Sequence, residues 1–243
     1  MSDPQGLAFD RLAEDYDLGR PPWSTELLDG IDAESVLDLA AGTGKLTSLL
    51  AERFDEVIAV EPLERMRKVL ERNVPSARSL QGSAERIPLD DASVDAAFVA
   101  EAFHWFDSEA AVGELARVLR PGGTLVICFN DWLSFDPPVP EEAVAALRDV
   151  TSRLPAPGGP KVQSGEWRAG FAGAPFAPLE QREHHHTWET SRESMVAYQV
   201  SVSSMGSLPE RERLALRAQL IELLPDTSFR VELCAHEFRA ERS

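Results

Sequence analysis

Four short apolar runs, at 35–40 (SVLDLA), 56–60 (EVIAV), 94–100 (VDAAFVA) and 124–129 (TLVICF), are nearly continuous rather than alternating. Strands of this kind are covered on both faces, which is the situation in a parallel sheet. Between the runs, apolar residues recur at helical spacing. The first set is Leu46, Leu49, Leu50 and Phe54. The second is Met66, Val69 and Leu70, with Pro62 suited to a first helical turn. The third is Val112, Leu115, Ala116 and Leu119, capped at Ser108 and stopped by Pro121-Gly122-Gly123. Strand and helix alternate through residue 129, so the pattern predicts a doubly wound α/β domain.

The flanks differ from this core. Two helices are expected within 7–31. After residue 129 come a Pro-, Gly- and Trp-rich region, a helix at 141–153 and a loose stretch, PAPGGPKVQSG. A polar strand at 179–188 and helices at 192–200 and 209–224 follow. Near the end, Phe229, Val231, Leu233 and Ala235 alternate with more polar neighbours, which predicts an antiparallel last strand. A single domain is expected, with an N-terminal cover (1–34), a cofactor-binding core (35–129), a lid with late sheet elements (130–224) and the final strand (225–243).

The formal charge of −17 and the lack of a Lys/Arg-rich stretch argue against a nucleic-acid partner and favour a small-molecule substrate. No stretch has the length of a membrane span, and the first residues carry acids where a secretion signal is basic and then apolar. Cys128 and Cys234 are the only cysteines, too few for a disulfide framework. A reducing, cytoplasmic setting is expected.

The first apolar run ends in LDLAAGTGKLT, a strand turning on glycines into a helix. Three ligands suit that shape. A triphosphate loop requires a glycine five residues before Gly44 and a hydroxyl after Lys45, where this chain has Leu39 and Leu46. A dinucleotide turn requires a third glycine, where this chain has Thr47. S-adenosylmethionine requires close backbone approach, which glycine permits, and an acidic acceptor for its ribose hydroxyls. Glu61, 17 residues after Gly44 and at the end of the second run, stands where that acceptor belongs. As a helix-start acid it would serve the dipole instead.

VLDLAAGTGKLT, VEP, GSAERIPLDDASVDAAFVAEAFHWFD and LARVLRPGGTLVI, in this order and spacing, resemble class I S-adenosylmethionine-dependent methyltransferases. The branch they are most similar to includes ubiquinone/menaquinone C-methyltransferases and trans-aconitate-like methyltransferases. The opening FDRLAEDYDLGRPPW is similar to that branch too. The resemblance implies a Rossmann-like seven-stranded sheet with an antiparallel final strand. It implies that Asp38, Ala40 and Gly42 line the methionine end of the cofactor, with Thr43 and Gly44 completing the turn. Glu61 would take the ribose hydroxyls, Pro62 and Met66 would border the adenine, and Ser83, Ala84 and Glu85 would lie beside it. The family's usual acid after the glycine of GSAERIP is here Ser83, a weaker acceptor, with Glu85 as a possible stand-in. Tyr16 and Arg20 would reach the cofactor from the N-terminal cover.

Methyl transfer from a sulfonium requires alignment above all, and a base only where the nucleophile arrives protonated. Glu101 and His104, in AEAFHWFD after the third apolar run, are the ionisable candidates there. His104 is either a general base or, with Trp105, a packing corner. No metal is expected: within His184-His185-His186 only His184 and His186 share a strand face, and a third ligand is not visible. Trp132, Phe135, Trp167, Phe171, Trp188 and Tyr198 are either substrate-pocket walls or lid core, and Asp131 and Asp136 would suit a cationic substrate. The expected function is transfer of a methyl group to a small molecule. A non-catalytic binder of S-adenosylmethionine or S-adenosylhomocysteine and an NAD(P)-dependent oxidoreductase are the alternatives.

Overall fold

The first two apolar runs form β1 (Ser35–Leu39) and β2 (Glu56–Val60), which pair in parallel. The computed structural model describes residues 9–154 and 164–243; most of the expected loose stretch, and the start of the first expected helix, lie outside the described residues. β3 (Arg78–Leu80), β4 (Val94–Ala100), β5 (Leu119–Asp136), β6 (Glu180–Thr190) and β7 (Phe229–Glu241) complete a seven-stranded sheet. Its order is β3-β2-β1-β4-β5-β7-β6, parallel through β5, with β7 antiparallel to both neighbours. The doubly wound α/β fold is as the pattern predicts.

Both faces of the parallel strands are buried, which explains the unbroken apolar runs. On one face Val36, Phe98 and Val126 pack with Leu46 and Leu50 of α2 (Lys45–Arg53). On the other, Leu37, Leu39, Val99 and Ile127 pack with Val112 and Leu115 of α4 (Ser108–Val118). α3 (Glu64–Asn73) buries Met66 and Val69 beneath the N-terminal residues Ala13 and Tyr16. A third cluster joins α5 (Glu141–Thr151), α6 (Arg192–Val200) and α7 (Glu210–Leu223) to the β7 residues Phe229, Val231 and Leu233.

Several local expectations are corrected. The cap of α4 is Asp107, whose carboxylate accepts from the Ala110 N–H at 3.3 Å, and not Ser108. Pro62 lies just before the helix, because Leu63 is the residue that caps α3. Among its described residues the N-terminal region contains one short helix, α1 (Ala13–Gly19), between 3-10 turns at Phe9–Leu12 and Thr25–Leu28, since Pro21 and Pro22 lack the donors a longer helix requires.

This N-terminal cover packs on α6. A Cβ on Gly19 would lie 2.2 Å from the Tyr198 backbone nitrogen, so only glycine permits this approach. Asp15 of α1 pairs with Arg213 and Arg217 of α7. No described helix is long and apolar enough to cross a membrane.

Candidate active site

Two neighbouring strands, β1 and β4, end in residues with left-handed backbone. Ala40 has φ 58° and Glu101 has φ 54°, and Gly42 follows Ala40 at φ 59°. Non-glycine residues hold that conformation at a cost, commonly at ligand sites. Here they edge a cavity of about 280 Å³ outside the carboxyl ends of β1, β2 and β4, the usual place for ligands in open α/β sheets. A Cβ on Gly42 would meet only Tyr16, 3.8 Å away, so glycine leaves the turn open to the cavity.

Of the residues named from the sequence, Tyr16, Arg20, Asp38, Ala40, Gly42, Thr43, Glu61, Met66, Glu101 and His104 line this cavity. Gly44 does not: it lines a separate outer cleft with Lys45 and Asn73. Pro62, Ser83, Ala84 and Glu85 surround a different recess of about 10 Å³, room for a water and not for a nucleobase. The Ser83 hydroxyl is engaged by Glu85.

Glu61 is 4% exposed. Its Oε2 accepts from the Gly42 N–H at 2.9 Å and its Oε1 from the Leu63 N–H at 2.8 Å, which ties the glycine turn to the end of β2. Each oxygen retains a further lone pair. Asp38 accepts from the Thr47 hydroxyl at 2.6 Å through Oδ2, while its buried Oδ1 has no partner. Thr47 thus fills, wholly buried, the place where a dinucleotide turn has its third glycine. Glu101 Oε1 accepts from the Asn130 N–H at 2.6 Å. The Arg20 guanidinium lies between the rings of Tyr16 and Tyr198, 4.4 and 4.8 Å from their centroids.

Among the described residues, buried polar side-chain atoms without a partner concentrate here: Arg20 Nε, Asp38 Oδ1, Thr43 Oγ1, His104 Nδ1 and Asn130 Oδ1. Such atoms are costly unless a ligand satisfies them. Burial pushes the carboxyls of Asp38 and Glu61 up to about 7 each, and raises that of Glu101. Burial lowers His104 to about 4, so its imidazole is neutral near pH 7.

These shifts set a pH dependence in the unliganded protein. Unfolded carboxyls release their protons near about pH 4, while the folded Asp38 and Glu61 keep theirs until about 7. Stability from this source is therefore lost as pH rises between those values. The Asp38→Asn variant, which cannot ionise, is expected to gain stability relative to wild type as pH rises from about 5 to about 7.5. Thermal unfolding of both proteins across that range measures the difference; a constant or shrinking gap would contradict it.

Sequence reasoning misses Asn130, Phe9 and Trp23, which also line the cavity. Asn130 was detectable, since it directly follows the fourth apolar run. Of the aromatic candidates, Trp132 and Tyr198 reach the cavity, their ring centroids 4.0 Å apart and tilted by 33°. Trp167 and Phe171 pack in the core with Phe103, and Phe135 and Trp188 pack in the late cluster. Asp131 and Asp136 do not line it; both are exposed, and Asp131 bonds His236 at 3.0 Å.

Residues 37–127, which include the glycine turn, Glu61 and Glu101, match the family described as a methyltransferase domain. An uncharacterised methyltransferase of Mycobacterium tuberculosis is 49% identical over 127 residues, 51% of this chain and 52% of the relative. The match thus spans about half the length of that relative. A solved structure from Anaeromyxobacter dehalogenans, provisionally named a type II methyltransferase, superimposes with a TM-score of 0.64 at 26% identity, covering 92% of this chain and 97% of that one. An uncharacterised methyltransferase of Schizosaccharomyces pombe is 30% identical over 228 residues, 90% of this chain and 88% of its own. With likeness extending through the cover and the late elements as well as the cavity floor, this chain belongs to the methyltransferase family.

Proposed function

We propose that this protein is an S-adenosylmethionine-dependent methyltransferase acting on a small-molecule acceptor. The observation that carries this reading is the set of unpartnered buried polar atoms on residues that line the same cavity as the Glu61 carboxylate. Two oxygens with spare lone pairs suit two adjacent ribose hydroxyls. Asp38 Oδ1 and Thr43 Oγ1, beside Gly42, suit an amino group, and the Arg20 guanidinium suits a carboxylate. An amino acid joined to a ribose by a link without phosphate carries that set of groups. For Ser83, Ala84 and Glu85 to border a nucleobase, the 82–85 turn would have to move away from Pro62 and enlarge the recess there.

When bound, S-adenosylmethionine supplies a methyl group on a positively charged sulfur. The work left to this chain is to orient the acceptor and to exclude water. Trp105, Trp132 and Tyr198 give the cavity an apolar aromatic wall that suits a small, largely apolar acceptor. His104 sits in the 3-10 turn Phe103–Trp105, its ring 5.2 Å from that of Trp105 and 5.9 Å from that of Phe129. Held neutral, and with Nδ1 buried and unpartnered, it accepts a hydrogen bond from an acceptor hydroxyl or amine; it does not store a proton at neutral pH. Between base and packing corner, this makes it a positioning acceptor.

Calorimetric titration with S-adenosylhomocysteine tests the reading, with NADH as the competing ligand. Micromolar S-adenosylhomocysteine binding without NADH binding supports it, and no binding by folded protein overturns it. For an acceptor that is turned over, kcat at saturating S-adenosylmethionine is expected to stay flat from about pH 6 to about pH 9, because His104 titrates well below. His104→Ala is expected to lower kcat about 10-fold or more and to leave the S-adenosylmethionine KM unchanged. A limb in the wild-type profile near about pH 6.5 that disappears in the variant would make His104 a base instead.

A further inference from the structure

The histidine run 184–186 does not act as a unit, because the sheet divides it. His184 and His186 face one side, where His184 Nε2 bonds Glu237 at 2.6 Å and Nδ1 bonds Glu26 at 3.2 Å. His185 faces the other. In register, Asp131 of β5, Cys234 of β7 and His185 of β6 lie abreast, and His236 of β7 lies opposite Glu183 of β6. Directly paired residues share a face, as do residues two apart on one strand. Five side chains with ligand atoms therefore meet on one face of the β5–β7–β6 edge.

We propose that Glu183, His185 and Cys234 form a binding site for a borderline divalent cation of the zinc class. A carboxylate oxygen of Glu183, a ring nitrogen of His185 and the Cys234 sulfur all lie within 4.8 Å of one another. Zinc ligands about 2.0–2.3 Å from the metal stand about 3.5 Å apart in a tetrahedron, so small rotations of the two exposed side chains, Glu183 and His185, close the set. The mix of thiolate, imidazole and carboxylate selects zinc-like ions over calcium or magnesium. A fourth position is left for water.

The surroundings fit a cation. His236 Nδ1 lies 3.3 Å from Glu183 Oε1, and its Nε2 lies 3.0 Å from Asp131 Oδ2, so the carboxylate is held in place by a second shell of ring and acid. Burial raises the Cys234 thiol above its usual range, and the charges of Glu183 and Asp131 raise it further. A bound cation would offset those charges and take the sulfur as thiolate. The site is separate from the proposed active site: Asn130 and Trp132 line that cavity, and Asp131 between them points to the opposite face of β5.

The test uses the full chain stripped of metal, titrated with Co²⁺ and, against a chromophoric chelator, with Zn²⁺. One equivalent of Co²⁺ is expected to produce a thiolate-to-cobalt charge-transfer band in the near ultraviolet. Cys234→Ser is expected to abolish the band and His185→Asn to weaken Zn²⁺ binding about 10-fold or more, with His184→Asn and His186→Asn unchanged. His185 is exposed, so its variant stays informative if Cys234→Ser misfolds. Absence of the band in wild type would overturn the proposal. So would Zn²⁺ affinity that follows His184 or His186 in place of His185.

Discussion

Replacing Glu61 with glutamine is expected to weaken S-adenosylhomocysteine binding about 10-fold or more while the protein stays folded. The carboxylate accepts from Gly42 and Leu63, one N–H on each oxygen. Glutamine turns one of those oxygens into an amino group, which then faces a backbone donor. One of the two turns loses its acceptor, and one ribose hydroxyl loses its own. A hydrogen bond to a charged group contributes about 1.5–3 kcal/mol, so losing the one to the ribose corresponds to roughly 10- to 150-fold. Wild-type affinity is also expected to rise with pH through about 7, as the carboxyl that burial has raised gives up its proton to accept from two hydroxyls. The variant should lack that rise. Calorimetry at about pH 6 and about pH 8 measures both effects. A dissociation constant within about threefold of wild type at the higher pH would remove Glu61 from the ribose role.

The second large effect concerns stability. Glu237 of β7 is wholly buried, and Arg239 on the same strand pairs with it. Arg239 also donates to the backbone oxygens of Leu27 at 3.1 Å and Asp29 at 2.8 Å, which anchors the 3-10 turn at Thr25–Leu28 to the sheet. Arg239→Ala leaves the buried carboxylate with His184 as its remaining partner and two carbonyls without donors. Breaking a buried pair from one side costs about 3–5 kcal/mol. Urea unfolding should show this as a lowered midpoint with an unchanged slope. Replacing both partners with apolar residues, Glu237→Leu with Arg239→Met, is expected to cost much less, because no buried charge remains. A single-variant loss below about 1 kcal/mol would mean that water reaches Glu237 when the arginine is gone.

The parallel core was legible because its strands are buried on both faces: Val36 and Leu37 each meet a helix, so the runs carry no polar alternation. β3 was not legible. Its residues Arg78, Ser79 and Leu80 are partly exposed at the sheet edge and carry no periodic signal. The floor of the site was legible for a related reason. Ala40, Gly42, Glu61 and Glu101 follow apolar runs, and in an open parallel sheet the ends of those runs gather at one edge. The walls were harder. Trp132 and Trp188 look alike in sequence, but only Trp132 reaches the cavity, because long-range packing of α6 on β5 decides which ring faces in. The ligand-type group on the outer face was hidden for the opposite reason: its members come from β6 and β7, and their register is not written in either strand alone.

The packing of α1 against α6, with Gly19 beneath the Tyr198 backbone, has a bearing on the order of assembly. The cavity floor belongs to a continuous stretch early in the chain, while its roof joins segments nearly 200 residues apart, as the Asp15 contacts with Arg213 and Arg217 illustrate. Closing so wide a loop is entropically slow compared with forming neighbouring strands. The floor is thus local in sequence, while the roof waits on contacts that only residues far later in the chain can make.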